Sequence, residues 1–170
     1  METPICPPVI TLAAAEHLPA IAELAAIVWR AHYPGIISPE QIEYMLARMY
    51  DLGVMRRELA RSISYYRLLV DEKLVGFASY GPVAGPREVK LHKLYIHPEW
   101  QRRGLGSLLL KHVEEAAREE RYQMLSLSVN KANGPAIAAY EKNGYIIRAT
   151  VNVDIGGGFA MDDYIMEKFL

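Results

Sequence analysis

The sequence predicts an α/β fold with a mixed sheet, and three features lead there. Early segments carry apolar residues at helical spacing, the middle of the chain alternates as strands do, and later helices enter between strands. The 170 residues suit one domain, 1–170, with a single core. With 51% hydrophobic and 23% charged residues the chain has the make-up of a globular protein.

"PPVITLAA" (7–14) reads as a first strand, with Pro7 and Pro8 tolerated at its edge. In "EHLPAIAELAAIVWRAHY" (16–33), Leu18, Ile21, Leu24, Ala25 and Val28 make one apolar helical face, ended by Pro34 and Gly35. "SPEQIEYMLARMY" (38–50) opens a second helix. Ser38 is its N-cap, Pro39 holds the first helical position, and Gln41 completes a capping box. "VMRRELARS" (54–62) adds a further short helix. "YYRLLVDEKLVGFASY" (65–80) is two strands around Asp71-Glu72-Lys73, and "REVKLHKLYIHP" (87–98) is a longer strand halted by Pro98. The helix that starts at Gly104 runs to about Tyr122. Leu105, Leu108, Leu109, Val113, Ala116 and Ala117 are expected on its buried face, with Lys111, Glu114, Glu115 and Arg118 opposite. "YQMLSLSVN" (122–130) is a buried strand, and "GPAIAAYEKN" (134–143) a short helix closed by Gly144. "YIIRATVNVDI" and "MDDYIMEKFL" are strands around a turn at Gly156-Gly157-Gly158.

Several function classes are excluded. A net charge of −1 and a pI near 6.5 leave no basic footprint for nucleic acid. Cys6 is the only cysteine, so neither an internal disulfide nor a Cys-rich metal site is expected, and no metal is assigned. "METPICPPVI" lacks the basic region and apolar core of a secretory signal. No apolar run approaches the roughly 20 residues of a membrane span, so the expected location is cytoplasmic.

The chemistry is concentrated in "HPEWQRRGLGSLLL" (97–110). The first turn of a helix leaves backbone N–H groups without partners, and the helix dipole adds positive charge there. A strand ending at Ile96, a turn, and Gly104-Leu105-Gly106 opening a helix make an anion site that a backbone can approach closely. Arg102 and Arg103 add charge at the rim, and Ser107 adds a hydroxyl. Other phosphate motifs fit worse. A dinucleotide fingerprint needs a third glycine where Leu109 stands and an acid at the end of the next strand, where Asn130 stands. There is no Gly-Lys-Ser/Thr ending for a Walker A loop.

Gln101-Arg102-Arg103-Gly104-Leu105-Gly106 resembles the acyl-coenzyme-A loop of the GNAT superfamily of N-acetyltransferases, Gln/Arg-x-x-Gly-x-Gly/Ala. "KLHKLYIHPEW" before it resembles the family's fourth strand. "LSLSVNKANGPAIAAYEKNGY" after it resembles the second signature, with Asn133, Tyr140 and Gly144-Tyr145 in place. The resemblance is firm from Tyr66 to Tyr145 and fades before Tyr66. It implies a twisted, mostly antiparallel sheet flanked by helices and splayed between strands 4 and 5, with the pantetheine arm of the coenzyme in the gap. It further implies that Leu94 and Ile96, with Tyr95 between them, offer backbone groups to that arm. Arg102, Arg103, Gly104, Leu105, Gly106 and Ser107 would surround the pyrophosphate, and Asn133 would bond the coenzyme. Tyr140 would touch the coenzyme and act as the catalytic proton donor to its leaving thiolate.

The implied activity is direct acetyl transfer from acetyl-CoA to a primary amine of a small molecule, polyamine or peptide lysine. The rival is a sensor that binds acyl-coenzyme A without turnover. An amine must lose a proton before attack. His92, Glu88, His97 and a water chain are the candidate acceptors. Strand alternation sets His92 on the face of Leu94 and Ile96. Tyr33, Tyr44 and Tyr50 are candidates to line an acceptor slot, and Asp162 and Asp163 to attract a cationic acceptor. Similar proteins are frequently homodimers, which makes a dimer an expectation here.

Overall fold

The structure, a computed structural model, describes residues 6–170; the part of the N-terminal signal reading that falls on residues 1–5 lies outside them. Seven strands form one sheet in the order β1-β2-β3-β4-β5-β7-β6. They are β1 (Val9–Leu12), β2 (Ser64–Val70), β3 (Lys73–Pro82), β4 (Glu88–Ile96), β5 (Met124–Asn130), β6 (Ile146–Gly156) and β7 (Phe159–Phe169). All neighbours are antiparallel except β4 and β5. The helices α1 (Leu18–His32), α2 (Pro39–Met49) and α3 (Leu52–Ala60) precede β2, while α4 (Leu105–Glu119) and α5 (Gly134–Lys142) flank β5 in sequence.

Two apolar layers result, one on each sheet face. Leu105, Leu109, Val113 and Ala117 of α4 pack on Leu68, Val89, Leu91 and Leu125, with Ala136, Ile137 and Tyr140 of α5 at the margin. Ile21, Val28 and Trp29 of α1, Met45 of α2 and Met55 of α3 pack on Tyr65 and Phe77.

Local chemistry explains the element ends. Ser38 Oγ caps α2 by accepting from the Gln41 N–H at 3.1 Å, as expected. The Gln41 side chain does not complete the capping box. It donates to the Ala160 carbonyl at 3.0 Å and so ties α2 to β7. Asp51 caps α3 through the Val54 N–H. Asp71 and Glu72 both adopt positive φ, the backbone of a tight two-residue hairpin.

The expected face of α4 is corrected at three positions. Leu108 is exposed and Leu110 takes a core position. Glu114 is buried, accepting from the Tyr145 hydroxyl at 3.0 Å and from Lys168 Nζ at 3.0 Å. A buried carboxylate with such partners is tolerated where an isolated one is not, so a charge on the core side gave a misleading face.

β4 carries the irregularity that positions the site. Lys93 pairs with Ser79, but Leu91 pairs with Tyr80, so His92 is an extra residue. The bulge reverses the phase of alternation. Val89 and Leu91 face α4; beyond His92, Tyr95 faces α1, and Leu94 returns to the α4 side.

Candidate active site

β4 and β5 pair only from Glu88↔Met124 to Leu91↔Leu127. Past that point they part, and a cleft of about 1000 Å³ opens between them. The His97 N–H donates to the Val75 carbonyl of β3. With a two-residue hydrogen-bonding period, Tyr95 and Lys93 also turn their main chain to β3. Leu94 and Ile96 therefore turn theirs to the gap, where one group is already spoken for, because Gln101 Nε2 donates to the Ile96 carbonyl at 3.0 Å.

The cleft passes through the sheet. On the α4 side it is walled by Leu94, Ile96, the Gly104–Ser107 turn, Asn143 and Tyr140. On the α1 side its walls are Trp29, Tyr33, Tyr95, Lys93, Glu58 and Asp163.

At the α4 end, Gly104 is the N-cap with φ of 77°. A Cβ built there meets no atom within 4 Å, and one on Gly106 comes only within 3.9 Å of Ile96. The first main-chain bond of the helix runs from the Leu108 N–H to the Gly104 carbonyl. The preceding N–H groups of Leu105, Gly106 and Ser107 are thus without helical partners. This open, amide-lined turn beside unpaired strand edges fits a diphosphate joined to an amide-bearing arm. Ser107 Oγ accepts from Asn143 Nδ2 at 3.1 Å, which braces α4 against α5.

Most of the expected residues line this cleft: Leu94, Tyr95, Ile96, Arg102, Gly104, Leu105, Gly106, Ser107, Asn133 and Tyr140. Arg103 does not. Its guanidinium lies over the Trp100 ring at 4.7 Å and donates to the Glu99 carbonyl, so its side chain is occupied elsewhere. Asn133 is buried, and its Oδ1 lies 3.0 Å from His32 Nε2 instead of capping α5. Tyr140 packs edge-on against Tyr145. Burial, with Tyr33 nearby, raises its phenol above the ordinary range, so it holds its proton at neutral pH.

The candidate bases separate. Glu88 is turned from the cleft and paired with Arg148 at 3.2 Å. His97 accepts from the Glu99 N–H and caps the following turn. His92 lines the cleft and is the bulged residue, so simple alternation does not fix its face. Desolvation within the cleft wall, reinforced by Lys90, lowers its imidazole to about 4, although the ring keeps an exposed edge.

The tyrosines and acids separate too. Tyr33 lines the cleft and its hydroxyl meets that of Tyr95 at 3.1 Å. Tyr50 is buried in the α1–α3 layer, and Tyr44 donates to the Ile155 carbonyl beneath the glycine turn. Tyr44 thereby pins the Gly156–Gly158 turn, which is less free than three glycines suggest. Asp162 is exposed and paired with Lys131 at 2.8 Å, whereas Asp163 is buried in the cleft.

Sequence reasoning missed Lys93, Glu58 and His32. Lys93 is buried, with Nζ 2.9 Å from Glu58 Oε2 and 2.6 Å from the Tyr65 hydroxyl. Desolvation lowers its ammonium, and Glu58 opposes that shift. Lys93 gave no signal in "KLHKLYI", because it takes a core phase only once the bulge set by pairing with β3 is counted. His32 gave none, since its partner Asn133 is 101 residues away.

Comparison with known proteins decides the family. The model of the Acetyltransferase (GNAT) family matches residues 21–145. The chain belongs to that family. It is 29% identical over 158 residues to spermidine N(1)-acetyltransferase of Thermoplasma acidophilum, covering 90% of this chain and 91% of that protein. The solved PaiA N-acetyltransferase of Thermoplasma acidophilum, in complex with coenzyme A, superposes with a TM-score of 0.83 at 27% identity. The match covers 96% of this chain and 99% of that one. A GCN5-related N-acetyltransferase from Rhodopseudomonas palustris, at 20% identity and a TM-score of 0.82 over the full length of both chains, shares the fold.

This GNAT protein is therefore an N-acetyltransferase that draws on an acyl-coenzyme A and acylates an amine. Nothing in the comparisons favours a non-catalytic sensor. Among the described residues no group of three or more His, Cys, Asp or Glu is placed to hold a metal ion, and no helix is long and apolar enough to cross a membrane.

Proposed function

We propose that the protein transfers the acetyl group of acetyl-CoA to a primary amine of a small polycationic alkylamine. The observation that carries this is the cleft through the sheet, with unpaired β4 edge and helix amides on one side and aromatic rings with carboxylates on the other. A named spermidine acetyltransferase among the relatives supports the polyamine class, and the overall charge gives no reason to expect a nucleic-acid partner.

In this reading the N–H groups of Gly104, Leu105, Gly106 and Ser107 hold the pyrophosphate, with Arg102 at the rim and Arg103 contributing main chain only. The Leu94 and Ile96 edges, with Tyr95 between them, align the pantetheine arm, and Asn133 adds a polar contact. The coenzyme supplies an activated thioester. Tyr140 keeps its phenolic proton and delivers it to the departing sulfur, while a β4 main-chain N–H steadies the carbonyl oxygen. Trp29, Tyr33 and Tyr95 exclude water and present flat walls to an alkyl chain.

The test is free-thiol release from acetyl-CoA with a panel of polyamines, monoamines and lysine peptides. Polyamines are expected to give the highest kcat/KM; preference for a lysine peptide would overturn the acceptor class. Tyr140→Phe should lower kcat by roughly 10²-fold with coenzyme affinity intact. An unchanged kcat removes Tyr140 from the chemistry.

A further inference from the structure

We infer that Asp163 receives the acceptor amine, pairing with its ammonium and taking the proton that frees the lone pair for attack. This rests on the acetyl-transfer reading above and assigns the base that reading leaves open.

Asp163 lies on β7, opposite Asn130 of β5, just where the strands beside it open. Alternation along β7 sends Tyr164 and Met166 to the α4 layer and Met161 to the α1 layer. Asp163 shares the phase of Met161 and so faces the acceptor half of the cleft. It is 9% exposed, and its Oδ1 is buried without a hydrogen-bond partner. Leaving a carboxylate oxygen in that condition costs stability and asks for an explanation. Its neighbour Asp162 needs none, being exposed and bound to Lys131.

Two carboxylates line the cleft, Glu58 and Asp163. Glu58 already accepts from Lys93 and from the Tyr65 hydroxyl. The titratable groups within electrostatic range of Asp163 are Lys90 from β4, Tyr33 from α1, Lys131 from the loop before α5, and Asp162 on its own strand. Burial raises its carboxyl above the ordinary range, with Lys90 opposing, which makes it a better proton acceptor than an exposed aspartate. Tyr33 lies within electrostatic range of both Asp163 and Tyr140.

The protons balance. The ammonium gives its first proton to the Asp163 carboxylate. The amine nitrogen then bonds to the acyl carbon, the C–S bond breaks, and Tyr140 protonates the sulfur. The second nitrogen proton replaces the one Tyr140 gave, and Asp163 releases its own to solvent as the net proton of the reaction.

The experiment compares wild type, Asp163→Asn and Asp163→Ser with two acceptors, an alkylammonium polyamine and trifluoroethylamine, which is largely neutral near pH 7. Coenzyme affinity and thermal midpoint are measured alongside. The expected result is a loss of about 100-fold or more in kcat/KM for the polyamine, a much smaller loss for the neutral amine, and unchanged coenzyme affinity. The variants' polyamine rate should also climb with pH as free amine accumulates. Equal losses for both acceptors in folded variants, or no loss, would overturn the assignment. Wild type inactive toward every amine would instead sink the acetyl-transfer reading.

Discussion

Two glycines at the head of α4 should respond to the same substitution with opposite sign. Gly104 sits at a φ of 77°, a left-handed backbone, and the space where a Cβ would stand is empty. Gly104→Ala thus meets no clash; its penalty is backbone strain of about 1–2 kcal/mol, eased slightly by a less flexible unfolded chain. Gly106 lies inside the helix without positive φ, and a Cβ there makes ordinary contact with Ile96 at 3.9 Å. Gly106→Ala should stabilise by about 0.5–1 kcal/mol through helix propensity alone. The two variants are then separated by about 2 kcal/mol, or roughly 4–8 °C in Tm for a chain of this size. Urea and thermal unfolding without coenzyme, followed by far-ultraviolet circular dichroism, measure the gap. Midpoints that move together, or a stabilised Gly104→Ala, would refute the assignment of strain to one position and propensity to the other. Gly104→Glu adds the functional arm: a carboxylate in the amide-lined turn should abolish coenzyme binding, seen by calorimetry.

Other substitutions probe the buried charges. Glu114→Ala strips the acceptor from Lys168 and from the Tyr145 hydroxyl, and should cost about 3 kcal/mol in urea unfolding. Asp163→Asn should raise the stability of the free protein at neutral pH while lowering activity. The native carboxyl is raised by burial, so the folded state binds its proton more tightly than the unfolded state does. Below the unfolded pKa both states are protonated and the residue costs nothing. The cost appears as pH rises through the folded pKa, so wild-type and variant stability curves should converge in acid and separate toward neutral pH.

The order of strands and helices was legible because each segment carried its own period and its own stops. The anion turn was legible for the same reason, since glycines, cations and helix start are contiguous. What stayed hidden depends on pairing between distant segments. The phase of β4 past His92 follows from its register with Ser79 and Tyr80, and no pattern within "KLHKLYI" announces an extra residue. The division of labour between Asp162 and Asp163 follows from where Lys131 lies, and the distraction of Arg103 from Trp100 beside it. Glu114 shows the converse case, a charge that reads as solvent-facing until Lys168 of β7 and Tyr145 just before β6 converge on it.

The supernumerary His92 makes strand length a loose constraint at that point, because the residues on either side of it already pair with consecutive partners. Deleting it would set Lys93 directly after Leu91 in simple alternation opposite Ser79 and Tyr80, with Tyr95 still on the α1 side and Leu94 still under α4. Exchanging it for another residue leaves both faces in order. Mutational scanning of this strand should therefore find folded protein after many substitutions at position 92 and after its single-codon deletion as well.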